Sequence, residues 1–223
     1  MKKVMIIGVG PGFGLALAQQ FGELGNTVVM VARTASHLKK YQQQLNENGI
    51  QSVSHVVDVT NHTQVMHLFQ CEPEVDTLIY NVGKKDLDDP LSSSLDTIET
   101  TFKTNVLGCI DACQQFLKTV HPRTILVTGG GAALHPSAMT TTLSLTKAAL
   151  RSYVLSLHEA LLPHNIYVGL LTIQGLANVG TGMQPKEVAS AFVEAAKQRK
   201  KAEIFYPGGQ ANQISEFDQL KQG

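Results

Sequence analysis

A glycine-rich segment near the N-terminus restricts the folds open to this chain more than any other feature. Residues 8–14 read GVGPGFG, at the end of an apolar stretch and just before a helical pattern. Glycine permits a tight turn, and without Cβ atoms a ligand can approach the backbone closely. The order of strand, glycine-rich turn and helix therefore predicts a βα unit whose helix begins at an anion-binding turn.

Strand and helix patterns alternate along the rest of the chain. We predict strands at residues 3–8, 27–32, 52–57, 77–80, 124–127, 167–171 and 203–206, and helices at 15–24, 36–47, 64–69, 98–117, 140–162 and 186–197. Such alternation with short connections is typical of a parallel sheet with helices on both faces. We therefore predict an α/β Rossmann fold, a doubly wound parallel sheet of about seven strands. Residues 1–223 suffice for a single such domain and are too few for two.

Composition argues against several other classes of protein. The 18 acidic and 18 basic side chains balance, so no net charge favours nucleic acid. No apolar stretch reaches the roughly 18 residues of a transmembrane helix, and the apolar run at residues 4–7 is too short for a signal peptide. Cys71, Cys109 and Cys113 lack metal-site spacing, and we expect Cys109 and Cys113 to be buried thiols. We therefore expect a cytoplasmic protein that binds no metal, nucleic acid or membrane.

The end of the second predicted strand bears on the choice of dinucleotide. In NAD-binding proteins of this fold an acidic residue there binds the ribose 2′-hydroxyl. This chain has Ala32, followed by Arg33 and Thr34. A guanidinium suits a 2′-phosphate by its charge and its planar hydrogen bonding. We therefore predict that NADP(H) is favoured over NAD(H); the alternative is that Arg33 is an ordinary solvated arginine.

Together with these features, further motifs make the chain resemble the short-chain dehydrogenase/reductase family from Gly8 to about Gly209. In chain order the motifs are the glycines of residues 8–14, DV at 58–59, YNVG at 80–83, NVLG at 105–108, TKAAL at 146–150 and IFYPGG at 204–209. The resemblance implies that Asn105 and Lys147 belong to the catalytic set. The cofactor contacts predicted from the residues and the resemblance are Gly8, Gly10, Gly12, Phe13, Gly14, Arg33, Thr34, Asp58, Val59, Asn81, Val82, Gly83 and Lys147.

Two positions depart from the family pattern. The family has a tyrosine four residues before the active-site lysine, where this chain has Leu143. Its serine falls in the triplet of residues 129–131, so that Gly130 takes the serine's place. Carbonyl reduction needs a proton delivered as hydride arrives, and a leucine has none to give. The resemblance therefore implies an atypical member that holds the cofactor but lacks the usual proton donor.

Neighbouring side chains offer weak replacements for the lost acid. Ser144 points about 100° away from Leu143 on a helix, and we predict a helix-surface or interface serine. His135 lies in the loop expected to cover the nicotinamide, where it is either an acid or polar surface. Tyr153 is predicted to pack, and Thr128, the hydroxyl nearest to the glycine triplet, should lie at a strand end.

Two functions of different classes stay open. The first is an NADP(H)-binding oxidoreductase that reduces a small apolar carbonyl or enone through a non-standard proton donor. The second is a catalytically inactive dinucleotide-binding sensor or scaffold protein. The helix at residues 140–162 is apolar on several sides, which predicts a subunit interface in a homodimer or homotetramer.

Overall fold

The computed structural model describes residues 2–211, so Met1 and residues 212–223 of the predicted domain lie outside the described part. The strands are β1 (Lys3–Ile7), β2 (Thr27–Ala32), β3 (Ser52–Val56), β4 (Thr77–Tyr80), β5 (Thr124–Thr128), β6 (Tyr167–Ile173) and β7 (Glu203–Tyr206). The α-helices are α1 (Phe13–Glu23), α2 (Ala35–Glu47), α3 (His62–Cys71), α4 (Leu95–Phe102), α5 (Gly108–Phe116), α6 (Thr141–Leu161) and α7 (Pro185–Gln198).

All seven of these strands join one parallel sheet in the order β3-β2-β1-β4-β5-β6-β7. The order runs outward in one direction from β1 to β3 and in the other from β4 to β7. The connections therefore diverge between β1 and β4, and ligands of such sheets bind where the strands' carboxyl ends meet at this switch point. The predicted doubly wound α/β fold is confirmed.

Alternating side chains of the strands face two separate apolar cores. In β1, Val4 and Ile6 pack with α1, α2 and α7, whereas Met5 and Ile7 pack on the opposite side with α3, α5 and α6. Cys109 and Cys113 are buried free thiols in the second core, as predicted. Among residues 2–211 no helix is long and apolar enough to cross a membrane, and no three His, Cys, Asp or Glu side chains are grouped to share a metal ion.

The predicted helix at residues 98–117 is interrupted by a π-helical turn at Lys103–Leu107, between α4 and α5. A π turn inserts one residue into the helical ladder and redirects the side chains around it. Two tertiary hydrogen bonds are made there: the Tyr80 hydroxyl donates to the Thr104 carbonyl at 2.7 Å, and the Asn105 amide reaches across to Thr146. The prediction of one regular helix was wrong because periodicity carries no information about these partners.

Candidate functional site

Two adjoining clefts open at the carboxyl ends of β1 and β4. We call them the Leu143 cleft, of about 250 Å³, and the Arg33 cleft, of about 310 Å³, after a residue that lines each. Both are lined by Gly8, Gly10, Asn81, Val82 and Gly83. Of the other predicted residues, the Leu143 cleft contains Gly12, Phe13, Gly14 and Lys147, and the Arg33 cleft contains Arg33, Thr34, Asp58 and Val59. The structure thus gathers the predicted cofactor contacts around one glycine turn.

The glycines of this turn serve two different purposes. Gly8 has φ of +97°, and a Cβ there would lie 2.8 Å from the Asn81 carbonyl carbon. A Cβ on Gly14 would lie 2.5 Å from the Gly8 carbonyl oxygen, so these two glycines are needed for the fold itself. A Cβ on Gly10 or Gly12 would meet nothing within 4 Å. A side chain at Gly10 or Gly12 would thus clash with no protein atom, and both residues line the cleft where a ligand would approach the backbone.

The N-terminus of the helix that follows the turn has features that favour an anion. α1 begins at Phe13 with no acidic residue in its first turn and no side chain capping its N-terminus. The Leu15 N–H donates to the Gly10 carbonyl at 3.0 Å. The N–H groups before it have no intrahelical partner, and the helix dipole favours negative charge at this end. An open, uncapped turn of this kind fits the pyrophosphate of a dinucleotide.

Positive charge and hydroxyl groups line the Arg33 cleft beyond the end of β2. Arg33 and Thr34 lie at its wall with His37, which sequence reasoning missed although it follows Arg33 by about one helical turn. Hydrogen bonds from the Thr60 backbone N–H and hydroxyl, at 2.9 and 2.7 Å, lower the pKa of Asp58, and the charge of Arg33 contributes. Asp58 is therefore an ionised acceptor facing the same cleft.

Asn81 ties the glycine turn to the end of the sheet. Its side-chain Nδ2 donates to the Gly8 carbonyl at 3.1 Å, and its backbone N–H donates to the Ile7 carbonyl. Its Oδ1 accepts a hydrogen bond from the Thr128 hydroxyl at 2.8 Å. The predicted adenosine-side asparagine thus cross-links the ends of β1, β4 and β5, and holds the floor shared by the two clefts.

Lys147 lines the Leu143 cleft from α6, and only 8% of the residue is exposed. Its Nζ donates to the Thr128 carbonyl oxygen at 2.7 Å. Leu143, one turn earlier on α6, also lines the cleft. The family resemblance puts its tyrosine at this position. A Cβ on Gly130 would lie 3.7 Å from the Lys147 side-chain carbons, an ordinary contact distance. The space for a serine exists, although this chain does not fill it.

Asn105 lies behind the cleft wall and is fully buried. Its Oδ1 accepts from the Lys84 N–H at 2.7 Å, and its Nδ2 donates to the Lys84 carbonyl at 2.9 Å and to the Thr146 hydroxyl at 3.0 Å. It is absent from the linings of both clefts among the described residues. In this structure Asn105 holds the loop after β4 against α6. Any effect of Asn105 on the cleft is therefore transmitted through Lys84 and Thr146.

A second link between the same loop and α6 was not visible in the sequence. The Asp88 carboxylate accepts hydrogen bonds from the Thr142 N–H, at 3.1 and 3.2 Å, and from the Thr142 hydroxyl. The N-cap residue of α6, Thr140, makes no side-chain capping bond. Asp88 therefore caps the helix that carries Leu143 and Lys147 from 54 residues away in sequence.

Of the replacement donors considered from sequence, Thr128 lines the Leu143 cleft, whereas Ser144, His135 and Tyr153 line neither cleft. Ser144 is 4% exposed, donates to the Thr140 carbonyl and accepts from the Ser137 N–H, so the prediction of a helix-surface or interface serine was wrong. The first turn of α6 packs inward against the segment before it, which sequence periodicity did not indicate. His135 is half-buried and does not line the cleft. Tyr153 packs in the second core, where burial raises its pKa well above the usual value.

The ionisable side chains that do line the Leu143 cleft, within the described part of the chain, are Lys85 and Lys147. The sequence profile of the short chain dehydrogenase family matches residues 2–190. The chain belongs to this family. Leu143 and Gly130 are therefore to be compared with the tyrosine and the serine of this family.

Curated relatives are similar over much of the chain. The uncharacterized oxidoreductase DltE of Bacillus subtilis (strain 168) is 30% identical over 71% of this chain and 65% of its own length. The ketoacyl reductase HetN of Nostoc sp. is 23% identical over 89% of this chain and 76% of its own length. The match covers less than two thirds of DltE, so an activity for the whole protein is a matter for proposal.

Solved structures of short-chain dehydrogenases share the fold at low sequence identity. YwfH, described as an NADPH-dependent reductase involved in bacilysin biosynthesis, superposes with a TM-score of 0.85 at 19% identity, covering 96% of this chain and 99% of that one. A variant of the actinorhodin polyketide ketoreductase with NADPH gives a TM-score of 0.84, also at 19% identity, over 95% and 97% of the two chains. At this identity the likeness establishes the fold alone.

Proposed function

We propose that this chain is an NADP(H)-binding oxidoreductase that reduces a small, largely apolar carbonyl compound or enone without the family's tyrosine. The observation that carries the proposal is the position of Lys147, which lines the same cleft as the open glycine turn and is anchored to Thr128. Groups suited to both halves of a dinucleotide thus line two clefts that share part of their walls, which supports the proposal.

The residues present fit the cofactor. Gly10 and Gly12 leave open space beside the uncapped start of α1 for the pyrophosphate. Arg33 and Thr34 line the cleft where a 2′-phosphate would find a guanidinium and a hydroxyl. Lys147 would hold the nicotinamide ribose. When bound, NADPH supplies the hydride.

The walls of the Leu143 cleft favour an apolar substrate body. Ala132, Leu143, Ile173 and Leu176 line it, and apolar walls exclude water from a reacting carbonyl. Lys147 Nζ and the Thr128 hydroxyl are the protein groups that carry protons beside these walls, together with Lys85. The proton needed by the product alkoxide would come from one of them or from water.

A second candidate function is favoured by Leu143 itself. Its side chain lines the cleft at the acid's position, and Gly130 adds no hydroxyl opposite it. A protein of this kind would bind NADP(H) as a sensor or scaffold and reduce no carbonyl. The two candidates share the cofactor site and differ in turnover.

Titration with NADPH and NADH, followed by a panel of aldehydes, ketones and enones, tests both candidates. Submillimolar NADPH binding with substrate-dependent NADPH oxidation supports the oxidoreductase. Binding without oxidation on the whole panel supports the sensor or scaffold. Failure of both dinucleotides to bind below about 1 mM contradicts the two candidates together.

We also propose that α6 forms part of a subunit interface in a homodimer or homotetramer. Leu145 on this helix is 44% exposed, and Leu107, on the π turn that packs against α6, is 47% exposed. Exposed apolar side chains that form a contiguous patch are typical of association sites. Light scattering coupled to size exclusion measures the molar mass, and a monomer at micromolar concentration would contradict this proposal.

A further inference from the structure

Lys85 places a positive charge at the Leu143 cleft. Its side chain lines the cleft and is exposed. Within the described part of the chain no ion pair or hydrogen bond engages its ammonium group. Lys84, by contrast, places its ammonium 3.5 Å from the Asp86 carboxylate and 3.2 Å from the Thr100 hydroxyl. Lys84 is thus paired within the protein, whereas Lys85 faces the cleft.

The acidic residues that follow Lys85 in the loop do not neutralise it. Asp86 pairs with Lys84, and Asp88 caps α6 through Thr142. Asp89 accepts backbone hydrogen bonds from Leu91 and Ser92, at 2.9 and 3.1 Å. No acidic side chain is among the described residues that line the Leu143 cleft. The cleft therefore presents two lysines and no carboxylate.

The structure also fixes where this charge lies. The Lys84 backbone is held on both its N–H and its carbonyl by Asn105, which in turn bonds to Thr146, the neighbour of Lys147. Asp88 ties the other side of Lys85 to the first turn of α6. Lys85 is thereby attached on both sides to the helix that carries Leu143 and Lys147, which is the substrate end of the cleft.

The pyrophosphate of a dinucleotide does not require this lysine. The glycine turn and the uncapped start of α1 already supply backbone N–H donors and a favourable helix dipole. An additional cation that lines the same cleft instead suits a second anion. Charged groups lining a concave site attract ligands of opposite charge and raise their local concentration.

We propose that Lys85 binds an anionic group of the substrate, so that the preferred substrate is an apolar carbonyl compound carrying a carboxylate or a phosphate. This inference rests on the proposed function and specifies its substrate class. The apolar walls take the carbon body, and the Lys85 ammonium donates charge-assisted hydrogen bonds to the anionic end. No bond is formed or broken by Lys85.

Two matched pairs of ketones test the proposal on NADPH-saturated protein. One pair is 4-oxopentanoate and 4-oxopentanamide, and the other is (2-oxopropyl)phosphonate and its dimethyl ester. Binding is measured by the change in NADPH fluorescence, with the rate of NADPH oxidation as a second readout. We expect at least one anion to bind about tenfold more tightly than its neutral partner. Comparison of the two pairs distinguishes a carboxylate from a phosphate.

Variants show whether Lys85 causes the preference. Lys85→Gln should reduce the anion-to-neutral ratio to about 1, and Lys85→Arg should retain most of it. The control is Lys118→Gln, which removes the same charge from a residue just beyond the end of α5 that does not line the cleft, and should leave the ratio unchanged. NADPH affinity should change less than about twofold in all three.

Three outcomes would overturn the assignment: no preference for either anion in the unaltered protein, a preference that survives Lys85→Gln, or a large loss of NADPH affinity in Lys85→Gln with the preference intact. The last would assign Lys85 to the cofactor. Failure of the unaltered protein to bind NADPH would instead overturn the proposed function, and this inference with it.

Discussion

The ammonium group of Lys147 donates a hydrogen bond to the carbonyl oxygen of Thr128 across 2.7 Å. This bond joins α6 to the end of β5, and the Thr128 hydroxyl continues it to Asn81 at 2.8 Å. The lysine is therefore placed by backbone and asparagine contacts that do not involve a tyrosine. The placement of Lys147 therefore does not depend on the side chain at residue 143.

Leu143→Tyr combined with Gly130→Ser should create or increase carbonyl reduction. A side chain at residue 130 meets Lys147 only at ordinary contact distances, and residue 143 already lines the cleft. A positioned acid contributes about 10²–10⁴-fold to proton transfer, so we expect a gain of about 100-fold or more in kcat/KM. Leu143→Phe with Gly130→Ser is the matched control without a hydroxyl. Equal rates in the two double variants would show that the cleft does not place a tyrosine productively.

Arg33→Gln should weaken NADPH binding by about tenfold and leave NADH binding nearly unchanged, because charge-assisted hydrogen bonds to a phosphate would be lost. Isothermal titration at low and high salt measures both affinities, and the difference should shrink at high salt. Lys39→Gln removes a similar charge from an exposed position on α2 and serves as the control. Equal losses for NADPH and NADH would contradict a role for Arg33 at the 2′-phosphate.

Gly14→Ala and Gly10→Ala should separate the structural from the binding role of the glycine turn. The first places a Cβ 2.5 Å from the Gly8 carbonyl oxygen, so we expect about 2 kcal/mol or more of destabilisation. The second meets nothing within 4 Å and should change stability by less than about 1 kcal/mol, but should reduce dinucleotide affinity. Urea unfolding and NADPH titration check the two effects. Undiminished NADPH binding by Gly10→Ala would place the cofactor elsewhere.

Glu72, which lines neither cleft, should make folding stability depend on pH. Burial by itself raises the pKa of Glu72, but hydrogen bonds and charge from Lys3 and His55, both at 2.8 Å, bring it below its usual 4.5. A lowered carboxyl pKa contributes stability above 4.5, and the contribution is lost as pH falls through the folded-state pKa.

The variant Glu72→Gln should therefore lower the free energy of unfolding at pH 7 by about 1 kcal/mol. The difference from the unaltered protein should shrink as pH falls below 4.5, measured by urea unfolding between pH 3 and pH 7. Glu47→Gln, on an exposed position of α2, is the control. A difference that does not vary with pH would mean that Glu72 stabilises by packing alone.

Local sequence patterns determined the strands, the helices and the glycine turn. Alternating periodicity reports which side chains a strand or helix buries, and a glycine-rich turn between them reports a steric demand that few other residues meet. From these alone the doubly wound sheet was predictable, whereas the position of a dinucleotide site stays a prediction. The replacement of the family's tyrosine and serine by Leu143 and Gly130 also stays a prediction, since it rests on spacing to Lys147 alone.

Only the tertiary structure decided which side-chain contacts join the loops to the sheet and its helices. Asp88 and Thr142 lie 54 residues apart, and neither carries a local signal that the carboxylate caps α6. Likewise, the π turn at Asn105, the burial of Ser144 and the exposure of Lys85 to the cleft depend on partners brought together by the sheet. Periodicity encodes which face of an element is buried, whereas side-chain hydrogen bonds between distant segments form only once packing has set their distances.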